Sequence, residues 1–254
     1  MQTDMEKVAG DMADEGSEKT FVLVHGAYHG AWCWKSVAKR LRSLNHNVYT
    51  PTLTGLGERS HLLGANPSLD TFIEDVAQVL RYEDLHDVVL VGHSFAGSVI
   101  SALADRMPER ISHLVYLDAQ VLQSGQAPVD TAVPEIIEIY KQRAQASGGV
   151  SIPPGSPESF GVTDPKMAEW VKTKVTPHPY RTYFDKLLLK HPVGNGLPAT
   201  YIACTQPLHR NTAHSREVAK GMKGWKYKEI ATGHDAMITQ PEELVILLLE
   251  VAGS

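Results

Sequence analysis

Cysteine is scarce in this chain. Only Cys33 and Cys204 occur among the 254 residues, and their spacing fits neither a zinc site nor a redox motif. We interpret them as buried, reduced thiols of a cytoplasmic protein. Long apolar runs are missing too, and the N-terminus has no hydrophobic signal region, so we expect neither membrane insertion nor secretion by a signal peptide.

Positive charge is also in short supply. Lys and Arg number 24 against 29 Asp and Glu, which gives a formal net charge of −5 and no sign of a basic surface. Nucleic acid is therefore not an expected partner. Acidic residues are frequent and apolar ones rare in residues 1–19, which predicts a disordered acidic tail without a chemical role.

Two kinds of ligand motif are absent. No Gly-x-Gly-x-x-Gly segment follows a predicted strand, so nucleotide cofactors are unsupported, and His-Glu-x-x-His does not occur. His25, His29 and His93 are expected near the same strand ends, but no Asp or Glu joins them at ligand spacing. We expect neither a cofactor nor a metal.

Apolar runs alternate with amphipathic stretches from Thr20 onward. This alternation is typical of a mostly parallel sheet with helices on both faces, and the length suits one large core. The predicted strands are 20–25, 47–51, 87–92, 111–117, 199–204 and 226–231. The predicted helices are 33–45, 69–82, 95–107, 212–222 and 240–252.

The alternation stops after the fourth strand, where clusters of proline, glycine and serine interrupt two short helical patterns. Since the stretch is too long for a loop, we interpret residues 122–196 as a cap inserted into a core made of residues 20–121 and 197–254. Large aromatic side chains in the cap are expected to line an apolar pocket. The candidates are Trp170, Tyr180 and Phe184.

The most informative segment is 88–97, which reads Val-Val-Leu-Val-Gly-His-Ser-Phe-Ala-Gly. A buried strand turns sharply into a helix, so the Oγ of Ser94 should project clear of the backbone, as in a nucleophile elbow. The pattern is Gly-x-Ser-x-Ala, and Ala96 is small enough for close packing of strand and helix. The alternative is a Gly-Ser turn that only begins a crossover helix.

A serine nucleophile needs donors for the oxyanion, and such groups gather after the strand ends of an open sheet. The first strand is followed by Gly26 and Ala27, small residues that can turn an N–H inward. The N–H groups of Ala27 and Phe95 are the predicted pair, and an ordinary glycine-rich turn is the alternative. Beside them, Tyr28 and His93 are expected to contact the substrate.

Six segments together resemble a known superfamily. They read Phe-Val-Leu-Val-His-Gly-Ala-Tyr-His-Gly-Ala-Trp, Pro-Thr-Leu-Thr-Gly-Leu-Gly-Glu-Arg, Val-Gly-His-Ser, Leu-Val-Tyr-Leu-Asp-Ala, Ile-Ala-Cys-Thr and Gly-His-Asp-Ala-Met. From about residue 20 to its end the chain resembles α/β-hydrolases, specifically the group of plant methylesterases, hydroxynitrile lyases and bacterial esterases. In that fold the nucleophile comes first and the histidine last, which implies Ser94 as nucleophile and His234 as base. A purely structural role for His234 is the alternative.

The acid of the triad departs from this resemblance. In the plant relatives an aspartate stands two residues after the threonine of Cys-Thr, where this chain has Pro207. Asp118 ends the strand beside that of Ser94, so its carboxylate can approach His234 from the neighbouring strand end. The alternative is that Asp118 only accepts backbone hydrogen bonds where the cap begins. Asp235 is not favoured, because its side chain diverges from that of His234.

The sequence therefore predicts a serine hydrolase acting on a carboxylic ester, or a related amide or carbamate, of a small apolar molecule. That substrate is the expected partner, and the sequence leaves a monomer and a homodimer open. A hydroxynitrile lyase is disfavoured, because relatives of that kind carry threonine and lysine where this chain has Gly26 and Asp235. A cofactor-independent oxygenase and a hydrolase-like binding protein remain as alternatives.

Overall fold

Runs of apolar and β-branched residues form the strands at the centre of the molecule. The computed structural model describes residues 18–253, so the tail predicted for residues 1–19 lies outside the described residues except at its last two positions. Six parallel strands form one sheet in the order β2-β1-β3-β4-β7-β8. Their bounds are β1 Thr20–Val24, β2 Asn47–Tyr49, β3 Val88–His93, β4 Ile111–Leu117, β7 Ala199–Cys204 and β8 Lys226–Ile230.

Helices cover both faces of this sheet because each presents an apolar stripe to it. One core cluster joins the strands to α2, α3 and α6, and a second joins them to α1 and α8. The bounds are α1 Lys35–Ser43, α2 Leu69–Tyr82, α3 Ala96–Arg106, α4 Pro134–Gln145, α5 Pro165–Lys172, α6 Ala213–Gly221, α7 Ala236–Thr239 and α8 Pro241–Ala252. None of these helices is both long and apolar enough to cross a membrane.

The predicted fold class is confirmed. The predicted strands and helices differ from the observed ones mainly at their ends, and the short helix α7 was not predicted. Strand β2 ends at Tyr49, before Pro51, because proline has no N–H for the sheet and β2 is an edge strand. Helix α1 begins at Lys35, since Ala31–Trp34 form a tighter 3₁₀ turn in which the N–H of Cys33 donates to the carbonyl of Gly30.

The chain between β4 and β7 contains residues 122–196, the segment predicted to be a cap. Besides α4 and α5 it holds a small antiparallel pair, β5 Ser151–Ile152 with β6 His178–Pro179, and a 3₁₀ helix at Tyr180–Tyr183. The order of the main sheet reverses between β1 and β3, because β2 and its helix lie on one side and the later strands on the other. Ligands of open α/β sheets bind at the carboxyl ends of strands at such a reversal.

Gly97 lets the start of α3 approach the segment after β4 closely, a role that the second glycine of a nucleophile elbow usually has. A Cβ at this position would lie 2.0 Å from the carbonyl oxygen of Gln120, in the segment that leaves β4. The Ser94 carbonyl accepts hydrogen bonds from Gln120 N at 2.9 Å and from Gly97 N at 3.1 Å. Helix α3 is therefore held against the end of β4 through a contact that tolerates no side chain.

Gly97→Ala should lower the free energy of unfolding by about 2–3 kcal/mol or more, because the added methyl group would push the start of α3 away from the backbone of Gln120. Urea denaturation measures the change. Gly221→Ala is the matched control, since a Cβ there meets nothing within 4 Å, and it should leave stability unchanged or raised by up to about 1 kcal/mol. Equal stability of the Gly97 variant and the wild type would contradict the packing described.

Candidate active site

Ser94 occupies a strained turn between β3 and α3. Its φ of 54° lies in the left-handed region, which a residue other than glycine adopts only when its surroundings hold it there. Backbone hydrogen bonds fix Ser94 in this conformation. Ser94 N donates to the carbonyl of Leu117 at 3.1 Å, and the carbonyl of Ser94 accepts from two N–H groups. The turn projects the hydroxyl toward His234.

Ser94, His234 and Asp118 form one continuous hydrogen-bonded line. His234 Nδ1 lies 2.7 Å from Asp118 Oδ2, and His234 Nε2 lies 2.8 Å from Ser94 Oγ. Because the carboxylate can only accept, Nδ1 carries the proton and Nε2 accepts from the serine hydroxyl. Asp118 is fully buried at the end of β4, and its N–H donates to the carbonyl of Ile202 at 2.7 Å.

The second oxygen of Asp118 is held by side chains that the sequence reasoning missed. Asp118 Oδ1 accepts from Thr212 Oγ1 at 3.0 Å and from Arg216 Nη1 at 3.3 Å, and Arg216 Nη1 also donates to Thr212 Oγ1 at 2.7 Å. Arg216 is 7% exposed, so a buried cation faces the buried carboxylate. Thr212 directly precedes α6, and Arg216 lies four residues further on, one helical turn away; this spacing was the signal available in the sequence.

A second imidazole covers the one beside Ser94. The rings of His209 and His234 stack with centroids 3.9 Å apart and planes 15° apart. Burial lowers the pKa of His209 to about 2, and the neighbouring His234 and Arg216 act in the same direction, so the covering ring is neutral. It belongs to the loop after β7, in which Pro207 stands where the plant relatives have their acid.

The turn after β1 lies directly against Ser94. A Cβ at Gly26 would be 2.8 Å from Ser94 Cβ, so only glycine fits there without a shift. Ala27 and Phe95 are both buried and border the same cavity. Within residues 18–253 neither of their backbone N–H groups donates a hydrogen bond, which leaves two donors beside the serine.

A cavity of about 630 Å³ opens above Ser94 and His234. Tyr28 and His93, both predicted as substrate contacts, border it. Residues 122–196 supply much of its apolar wall, through Ile136, Ile139, Tyr140, Phe160 and Tyr183. Among the described residues that border the cavity, Arg143 and Arg210 are the Arg or Lys side chains, and no Asp or Glu is present.

The aromatic side chains that the sequence predicted for the pocket make their contacts outside this cavity. Trp170 packs edge-on against Trp32 at 5.2 Å, and Tyr180 packs against Phe184 at 4.9 Å. Trp170 and Phe184 are 38% and 40% exposed, and none of the three borders the cavity. Helix α5 buries Val171 instead of its neighbour Trp170, and composition alone could not show which side of each short helix faces inward.

Several histidines around the site are buried and neutral. Burial lowers the pKa of His25 to about 3 and that of His178 to about 3, and it holds the pKa of His93 well below the usual range. Hydrogen bonds fix the neutral form of His25, whose Nε2 accepts from Leu53 N while its Nδ1 donates to the Gly26 carbonyl. Protonation of these rings therefore opposes folding, and the folded state keeps them neutral. Among the described residues no group of three or more His, Cys, Asp or Glu side chains is arranged to hold a metal.

This burial predicts a pH dependence. A histidine with a lowered pKa in the folded protein binds its proton only after unfolding, so stability is lost as the pH falls below the ordinary value of about 6.5. For His25, His93 and His178 together, the loss between about pH 7.5 and about pH 5 should be on the order of 6 kcal/mol. Urea denaturation at several pH values measures it.

The controls are two single substitutions. His178→Gln should remove about 2 kcal/mol of this loss, because one of the buried rings no longer titrates. His86→Gln should leave it unchanged, since His86 is exposed. A wild-type denaturation midpoint that stays constant from about pH 7.5 to about pH 5 would contradict neutral burial of these rings.

A parallel sheet with a serine at the turn after β3 and a histidine after the last strand defines an α/β hydrolase. The chain belongs to the alpha/beta hydrolase family, whose model matches residues 21–246. It is 37% identical over 237 residues to the carbendazim hydrolyzing esterase of Nocardioides sp. (strain SG-4G), covering 88% of this chain and 96% of that protein. Methylesterase 1 of Arabidopsis thaliana is 34% identical over 119 residues, 46% of this chain and 45% of that protein.

Solved structures agree with the family. An extracellular alpha/beta-hydrolase from a Paenibacillus species matches with a TM-score of 0.82 and 27% identity, covering 92% of this chain and 98% of that chain. Its description reports structural and functional homology to tobacco Salicylic Acid Binding Protein 2. Tomato Methylketone Synthase I matches with a TM-score of 0.75 and 20% identity over 94% of this chain and 99% of that chain, a likeness of fold alone. The resemblance predicted from the sequence is thereby confirmed.

Proposed function

We propose that this protein is a serine hydrolase that cleaves a carboxylic ester, or a related amide or carbamate bond, of a small and largely apolar molecule. The observation that carries the proposal is the line from Asp118 through His234 to Ser94, with contacts of 2.7 Å and 2.8 Å, at the floor of the cavity. Esterase chemistry is supported by the names of two relatives, the carbendazim hydrolyzing esterase and methylesterase 1.

Each residue has a role in this proposal. His234 Nε2 removes the hydroxyl proton as Ser94 Oγ attacks the substrate carbonyl, and the resulting imidazolium then protonates the leaving group. Asp118 holds the imidazole with its Nδ1 protonated and stabilises the positive charge. The N–H groups of Ala27 and Phe95 receive the oxyanion of the tetrahedral intermediate. Water activated by His234 then attacks the acyl-enzyme and frees Ser94.

The substrate class follows from the walls of the cavity. Tyr140, Phe160 and Tyr183 contribute aromatic surface from residues 122–196, which act as a cap in this proposal. A volume of about 630 Å³ suits a small molecule, and apolar walls favour an apolar acyl or leaving group. We therefore place the determinants of substrate choice on α4 and on the Tyr180–Tyr183 helix.

The lyase alternative loses support at Gly26. The hydroxynitrile-lyase pattern has threonine there, and a Cβ at this position would lie 2.8 Å from Ser94 Cβ and 2.9 Å from His93 Nδ1. The lysine of that pattern is replaced by Asp235, whose carboxylate faces His29. A cyanohydrin leaving group would therefore find no cation at that position.

The first test of the proposed function is Ser94→Ala. With p-nitrophenyl butyrate, the wild type should show turnover and a burst of nitrophenol that signals the acyl-enzyme. The variant should lose about four to six orders of magnitude in turnover and keep the wild-type circular dichroism spectrum, because only the nucleophile is removed. A variant with substantial residual turnover would rule out Ser94, and a wild type without turnover would favour the binding-protein and oxygenase alternatives.

The second test addresses the acid. Asp118→Asn should keep the side-chain volume yet cut turnover about 10⁴-fold, because the amide favours the wrong tautomer of His234. Asp70→Asn, on the exposed start of α2, is the control and should leave turnover unchanged. Near wild-type turnover of the Asp118 variant would show that His234 works without this carboxylate, as a Ser–His dyad.

A further inference from the structure

A second histidine–aspartate pair lies buried beside the triad and takes no part in the proposed reaction. His29 Nε2 is 3.0 Å from Asp235 Oδ2, and the two side chains are 2% and 0% exposed. His29 follows Ala27 by two residues, and Asp235 follows His234 by one. The pair therefore joins the turn that carries an oxyanion donor to the loop that carries the base.

The partners of His29 define its protonation. Its Nδ1 lies 2.7 Å from the carbonyl oxygen of Ala27, which can only accept a hydrogen bond, and its Nε2 faces the Asp235 carboxylate. A neutral imidazole donates from one nitrogen only, so both contacts are satisfied when His29 is an imidazolium. Burial alone would lower the pKa of His29, but the Asp235 carboxylate and the Ala27 carbonyl raise it.

The surroundings of the pair fit a cation. The ring of Trp32 stacks on His29 at 5.2 Å and 23°, an arrangement that favours positive charge on the imidazole. The other titratable groups that face the pair are His93, whose Nε2 is 3.8 Å from Asp235 Oδ1, His25, Cys33 and Cys204. Burial raises the pKa of both thiols and lowers the pKa of both imidazoles, so these four groups stay uncharged.

We propose that His29 is a positively charged positioning residue, which holds the Ala27–Tyr28 turn in the conformation that aims the Ala27 N–H at the oxyanion. Tyr28 has a φ of 69°, in the left-handed region that a tyrosine rarely adopts. The hydrogen bond from His29 to the Ala27 carbonyl closes this turn around Tyr28, and Asp235 keeps the donor protonated and fixed in place. The inference deepens the proposed function and rests on it.

The charge of His29 can be measured without any substrate. In the full-length ¹⁵N-labelled protein, long-range ¹H–¹⁵N spectra at about pH 7.5 should show both ring nitrogens of His29 protonated. In Asp235→Asn the same ring should become neutral. A neutral His29 in the wild type, with the shared proton on Asp235, would overturn the proposal.

Two substitutions separate positioning from a structural role. His29→Asn keeps a donor near the Nδ1 position and should remain within about threefold of wild-type kcat, whereas His29→Gln loses that donor. The Gln variant should lose about 10- to 100-fold in kcat with little change in KM, because a misaligned donor weakens the transition state and not substrate binding. Binding of a trifluoromethyl ketone, which mimics the tetrahedral intermediate, should weaken by a similar factor.

Labelling by a fluorophosphonate distinguishes this inference from the proposed function. A wild type that is not labelled at Ser94 would mean that the proposed function fails, and the role of His29 at an oxyanion would fail with it. A labelled wild type with equally fast labelling of His29→Gln would overturn the positioning role alone. If His29→Gln does not fold, the other two variants decide. Equal losses of kcat in His29→Asn and Asp235→Asn would count against the Nδ1 hydrogen bond. Wild-type kcat in His29→Asn would support it.

Discussion

The carboxylate of Asp118 has no contact with solvent, and a buried charge is stable only where hydrogen bonds and an opposite charge surround it. Three parts of the chain meet to provide this. The end of β4 supplies Asp118, the start of α6 supplies Thr212 and Arg216, and the last loop supplies His234. Removing one partner of such a buried pair costs about 3–5 kcal/mol in general, so the stability of the fold and the orientation of the imidazole depend on the same contacts.

The histidines around the candidate site have different hydrogen-bond partners, and these partners decide which protonation state each ring favours. His25 faces one donor and one acceptor, which a neutral ring satisfies. His29 faces two acceptors, which only an imidazolium satisfies. His209 is stacked over His234 and held neutral by burial. Neutral rings next to His234 avoid repulsion when that residue becomes positive during the proposed reaction, and Asp235 compensates the proposed positive charge of His29.

The strands, the helices and the turn at Ser94 could be predicted from the sequence because each depends on local pattern. Apolar runs fix β1 and β3, and a serine between strand and helix has few other conformations. The residues that line the pocket were harder to predict, because neighbours in sequence differ in burial. Val171 is buried and Trp170 exposed, and Tyr183 is buried and Phe184 exposed. Arg216 could not be predicted at all, since an arginine on an amphipathic helix is usually exposed and only the tertiary contact with Asp118 explains its burial.

The loop after β7 lies beside the Asp118 carboxylate. In the proposed mechanism β4 supplies the acid, so residues 205–211 need not carry one and Pro207 is compatible with the geometry. The loop instead brings the His209 ring over His234, and the His209 carbonyl accepts from Arg216 Nη1 at 2.9 Å. Arg216 thus links the Asp118 carboxylate to the ring that covers His234. A change in this loop would alter the orientation of this carboxylate and the shielding of His234 together, so under the proposed mechanism a proline at position 207 fits a site whose acid comes from β4.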